Sequence, residues 1–107
     1  MERRLVAIHL VCRGGRGVCW VDSETFITGG WVISQEHIHK EVILALHESK
    51  LQASYLQGKV LKIHNVNKGL TNSGRNQRRL ELLVKVTATP LAWQGQGSGE
   101  KGLVWSE

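Results

Sequence analysis

The chain lacks any apolar run long enough to cross a bilayer. Its densest stretch, Leu5–Val11, covers seven residues and includes His9, against the ~20 that a membrane helix needs. Arg3 and Arg4 precede the run as a leader's basic segment would, but its seven residues, its His9 and the Arg13 that follows make it read as a buried strand rather than a leader peptide. Cysteine is scarce too: Cys12 and Cys19 form no Cys-x-x-Cys pair, and both read as small core residues in a reducing interior. With one proline, Pro90, and no Pro- or Ser-rich tract, nothing resembles a linker, so residues 1–107 are expected to form one domain. Signatures of an autonomous enzyme are missing. There is no GxxxxGK[ST] phosphate loop, no Gly-x-Ser-x-Gly elbow and no convincing carboxylate pair, and Gly95-x-Gly97-x-Gly99 lacks the helix a dinucleotide motif requires. The expectation is a non-enzymatic, cytoplasmic, non-membrane protein without cofactor or metal.

Acidic side chains are the minority charge. Fourteen Lys and Arg against nine Asp and Glu leave a net charge of +5, a balance that favours polyanionic partners through phosphate contacts and counterion release. Hydrophobic residues make up 41%, enough for a globular core and too many for a disordered chain.

Strand signals dominate the rest. Leu5–Val11 ends at the glycine turn Arg13–Gly17, and Val18–Val21 resumes extended structure, so the two runs are expected to pair as a hairpin. Thr25–Thr28 is β-rich, Gly29-Gly30 breaks it, and Trp31-Val32-Ile33 follows as another short strand. Ser34 suits a helix N-cap, with Glu36 in the first turn. From there the pattern fits either a brief helix and a strand at Val42–His47, or one helix from Gln35 to about Ser49. Lys59–Val66 follows Gly58 as a strand, and Asn67–Gln77 reads as a polar loop. Leu80, Leu82, Val84 and Val86 then alternate with Glu81, Lys85 and Thr87, the period of a strand with one face on a core. Leu103–Trp105 makes a terminal edge strand. The expected fold is mostly β (α+β with one or two short helices), a small curled sheet or partly open barrel.

Four tryptophans, against one Phe and one Tyr, supply the candidate pocket chemistry, since an aromatic wall that stacks a base is worth about 1–3 kcal/mol. Trp31, at a strand end, is the first candidate, with Ser34 beside it; Trp20 and Trp93 rank below, and Trp105 reads as packing. A polar cluster, His47, Glu48, Ser49 and Lys50, then Tyr55, follows an apolar strand and offers groups for a base edge. His47, Glu48 and Lys50 also hold the ingredients of a small hydrolase or nuclease, although adjacent strand residues point to opposite faces. His37-x-His39 completes no zinc spacing. Backbone phosphates find two basic segments: Arg13 and Arg16, and Lys68, Arg75, Arg78 and Arg79 interleaved with Asn, Ser and Gln.

The stretch Trp31-Val32-Ile33-Ser34, a short helix, Val42–Ser49 and then Gly58-Lys59-Val60-Leu61 resembles the PUA-like superfamily, which includes PUA, ASCH, EVE, YTH and SRA domains. Leu80–Thr89 followed by Pro90 and Trp93 is similar as well, so the resemblance in layout runs from about residue 5 to 105. It implies a small barrel-like domain that binds RNA or DNA, with Trp31, Ser34 and the His47–Lys50 cluster as pocket candidates for a modified or flipped base. Arg75, Arg78 and Arg79 would then lie along the backbone. A complete aromatic cage is not identifiable. The alternative is a protein-interaction module that adds a partner strand to the Leu103–Trp105 edge.

Overall fold

The computed structural model describes residues 4–31, 33, 35–70, 76–94 and 99–106; side chains at 30, 67–70 and 76–78 lie outside that description. Among the described residues seven strands form a single mixed sheet: β1 (Arg4–Val11), β2 (Val18–Trp20), β3 (Thr25–Trp31), β4 (Ile43–His47), β5 (Leu56–Leu70), β6 (Asn76–Val86) and β7 (Lys101–Ser106). Their order is β2-β3-β6-β5-β4-β1-β7, so β2 and β7 are edges. β1 and β4 run parallel, and the other pairings are antiparallel. Among the described residues the helical content is two single 3-10 turns, Arg13–Gly15 and Gln35–His37.

The alternation in β6 does what its period requires: Leu80, Leu82 and Val84 are fully buried, and Lys85 points to solvent. They share one core with Phe26 of β3, Val60 of β5, Leu44 and Leu46 of β4, and Ile8 and Leu10 of β1. Among the described residues no helical layer covers that face; Ile33, Ile38 and Val42 pack against it from the β3–β4 connection.

Several expectations need correction. β1 does not form a hairpin with β2; its neighbours are β4 and β7, while β2 pairs with β3. Short-range turn signals cannot reveal a parallel partner more than thirty residues away. Gly29-Gly30 does not end a strand, because β3 continues to Trp31 and absorbs the glycines as a register shift against β6. The helix after Ser34 is one 3-10 turn and β4 is a strand, which settles the choice at residues 35–49. The expected loop at 67–77 is strand at its described residues 67–70 and 76–77, where β5 and β6 pair from Gly58↔Val86 out to Leu70↔Asn76; residues 71–75 lie outside the described residues. Cys12 is buried as expected, whereas Cys19 is exposed on edge strand β2, and both are free thiols.

Gly58 is needed for the close approach of β5 and β6. A Cβ there would lie 2.1 Å from the Lys85 carbonyl oxygen and 2.8 Å from Val84 Cγ1. Backbone atoms cannot yield as a flexible side chain would. Gly58→Ala is expected to destabilise the domain by on the order of 3 kcal/mol, read as a fall in the urea midpoint; an unchanged midpoint would contradict this packing.

Candidate functional site

The parallel pairing of β1 with β4 brings their C-terminal ends side by side, and the segments that leave them hold each other. The Cys12 amide donates to the His47 carbonyl at 2.8 Å, and the Gly14 amide donates to Glu48 Oε1 at 2.9 Å. The Tyr55 hydroxyl donates to the Cys12 carbonyl, and Cys12 Sγ donates to the Arg16 carbonyl at 3.0 Å. Gly14, Gly15 and Gly17 adopt φ of 68°, 68° and 77°, a left-handed conformation that glycine enters without steric cost. The Arg13–Gly17 loop is thus pinned at its base and carries two exposed arginines.

Those arginines meet a third across a cleft of about 460 Å³. Arg13, Arg16 and Arg79 line it together with Trp31, and Glu100 also lines it and pairs with Arg13 at 3.3 Å. Trp31 is half-buried, and its indole Nε1 donates to the hydroxyl of buried Thr28 at 2.9 Å, which orients the ring. A second, more open hollow of about 310 Å³ lies on the other side of the loop, between Trp20 and Tyr55.

The outer face of β1 and β4 carries a different arrangement. His9 and His47 are both buried there, with His9 Nδ1 and His47 Nε2 2.8 Å apart. His47 Nδ1 lies 2.9 Å from the Gln52 carbonyl. A carbonyl only accepts, so His47 carries a proton on Nδ1; when both rings are neutral, its Nε2 accepts from His9 Nδ1–H. Trp93 covers both rings, with centroids 5.7 Å from His9 and 5.1 Å from His47, and Lys50 Nζ sits 5.4 Å from the Trp93 centroid. The segment that brings Trp93 here is tied down by the Ser54 amide to the Leu91 carbonyl (2.8 Å) and by Gln57 Nε2 to the Thr87 carbonyl (2.6 Å). Burial, reinforced by the neighbouring His47, lowers the His9 pKa to about 4.

The sequence-predicted residues therefore divide. Trp31, Arg13, Arg16 and Arg79 converge on one cleft, and Trp20 and Tyr55 share the adjoining hollow. His47 does not join the cleft with the base-edge candidates: it lies under Trp93 with both ring nitrogens engaged. Glu48 anchors the loop through Gly14, and Ser49 bonds within its own turn to Gln52 Oε1 at 3.3 Å. Lys68 and Arg78 are Cα partners in the β5–β6 hairpin, their side chains outside the description, and Ser34 and Arg75 lie outside the described residues. His37 packs edge-on against Trp105, and His39 Nε2 donates to the Leu5 carbonyl at 2.8 Å; among the described residues no three metal-binding side chains gather. Sequence reasoning missed His9 and Glu100. A histidine inside an apolar strand was the available signal for the first. No protein-family model, curated protein or solved structure matches the chain.

Unfolded, His9 takes a proton near pH 6.5, and folded only near 4, so within that window the unfolded chain holds more protons. Stability should fall by on the order of 2–3 kcal/mol as pH drops through it. Urea denaturation of wild type and His9→Gln between pH 7 and 4 checks this: the variant should show a flatter slope, and an equal slope would remove His9 as the cause.

Proposed function

We propose that the chain is a nucleic-acid-binding module of PUA-like layout, non-catalytic, which seats a base at Trp31 and grips phosphate with Arg13, Arg16 and Arg79. One observation carries this reading: three arginines from two sequence-distant segments and an oriented tryptophan line the same cleft. Its volume, about 460 Å³, falls in the range of small-ligand sites and has room for a base. Guanidinium groups bind phosphate oxygens bidentately, and an indole face stacks any base, so the two chemistries suit the two halves of a nucleotide. Glu100 subtracts from the positive field while fixing Arg13, an exposed pair whose own contribution to stability is small. The non-catalytic part of the proposal is supported by the fates of His47, Glu48 and Lys50. The first is buried in a hydrogen-bonded pair, the second is held on a loop amide and the third lies beside Trp93, so they do not converge on one point in the cleft.

Fluorescence anisotropy with labelled RNA and DNA oligonucleotides across a salt series tests the proposal. Affinity is expected to fall log-linearly with salt, and Arg16→Ala or Arg79→Ala should each weaken binding and reduce the slope by about 0.7–0.9. Trp31→Ala should cost about 1–3 kcal/mol with little change in slope. Absence of binding at low salt would overturn the reading and direct attention to protein partners at the β7 edge.

A further inference from the structure

The Arg13–Gly17 loop divides two depressions rather than bounding one. On one side is the Trp31 cleft; on the other is the 310 Å³ hollow between Trp20 and Tyr55, lined also by Val18 and Leu56. Gly15 lines the hollow and Arg16 lines the cleft. Gly15 and Arg16 are consecutive, their Cα atoms about 3.8 Å apart, so the two depressions adjoin at this loop.

Both aromatics of the hollow are exposed yet held. Trp20 is 52% accessible and rests against core residue Phe26, ring centroids 5.5 Å apart. Tyr55 is 40% accessible and tethered by its hydroxyl to the Cys12 carbonyl, in the segment that leads into the loop. A small domain that keeps two fixed aromatic faces in water beside two arginines offers the elements of a stacking platform.

Resting on the nucleic-acid reading above, we infer that the Trp20–Tyr55 hollow seats the base next to the one held at Trp31. The phosphate between the two bases then lies over the loop, where Arg13 and Arg16 are. This assigns the ligand class: a single strand. In a duplex the bases are paired and stacked on one another, so adjacent bases cannot enter two seats separated by a protein backbone, whereas an unpaired strand can splay them apart. The position of Arg16 at the junction favours this occupant over an apolar protein segment, which would bring it no counter-charge, Arg13 being already paired with Glu100.

The test is competition against a labelled single-stranded decamer. The competitors are a nucleoside 5′-monophosphate, a 5′-phosphorylated dinucleotide, the same dinucleotide lacking either base, and a hairpin duplex, in RNA and DNA series that separate the two sources of this chemistry. The dinucleotide should compete at least about tenfold better than the mononucleotide, and removing either base should abolish that advantage. The duplex should compete at least about tenfold more weakly than a single strand of equal length. Trp20→Ala should remove the dinucleotide advantage and leave mononucleotide affinity unchanged, while Trp31→Ala lowers both. Because Trp20 braces Phe26, the abasic dinucleotides repeat the test on unaltered protein. If Trp20→Ala and the abasic dinucleotides are without effect while Trp31→Ala still weakens binding, the second seat is discarded and the nucleic-acid reading stands. Equal binding of duplex and single strand likewise overturns the inference, and no binding of any competitor or of the decamer discards both.

Discussion

The parallel pairing of β1 with β4 is the constraint on which the rest of this molecule depends. Antiparallel neighbours would send the segments that follow them to opposite ends of the sheet. Because these two strands run together, Arg13–Gly17 and Glu48–Tyr55 leave from the same end and exchange amide, carboxylate and hydroxyl contacts. The same pairing sets His9 and His47 on one face at hydrogen-bonding distance. Parallel strands are normally covered on both sides. Here the apolar core lies on one side, and on the other the Thr87–Trp93 segment brings Trp93 over the hydrogen-bonded His9–His47 pair.

That buried pair is costly to assemble and has little room for alternatives. The two facing histidine nitrogens share one proton, since a proton on each would oppose two donors and add a positive charge in a low-dielectric site. The result is rigidity under the loop rather than chemistry within it. A preorganised loop does not lose conformational entropy when it receives a ligand, and three left-handed glycines allow its backbone to turn tightly enough to put two arginines beside two aromatic faces. Exposed cationic side chains and fixed rings are a division of labour suited to a ligand with an anionic chain and flat substituents.

How much of this is legible in the sequence follows from whether its cause is local. The period of Leu80, Leu82 and Val84 is local, and those residues are in the core. Trp31 and the arginines are recognisable by residue type, and Trp31, Arg13, Arg16 and Arg79 come together. What is not legible is set by distant pairing. The partner of β1 lies beyond the β2–β3 hairpin, so the glycine turn suggested a hairpin that does not form. The arms of the β5–β6 hairpin around 67–70 and 76–79 are paired by backbone hydrogen bonds, which leave no mark on a polar sequence. In the sequence His47 groups with its polar neighbours Glu48, Ser49 and Lys50 as a partner for a base edge, whereas it lies under Trp93, which arrives from the far side of the long hairpin.

The four tryptophans occupy four different environments, and this makes them reporters of where a ligand binds. Trp31 lies in the cleft, Trp20 in the adjoining hollow, Trp93 over the histidine pair and Trp105 on the β7 edge. The most direct test of the central claim is to follow the four indole Nε1–H resonances by NMR while titrating a short single-stranded oligonucleotide. The account predicts saturable shifts of Trp31 and Trp20, with Trp105 unmoved. Movement of Trp105 or Trp93 with Trp31 unchanged would contradict it and place the binding surface elsewhere on the sheet.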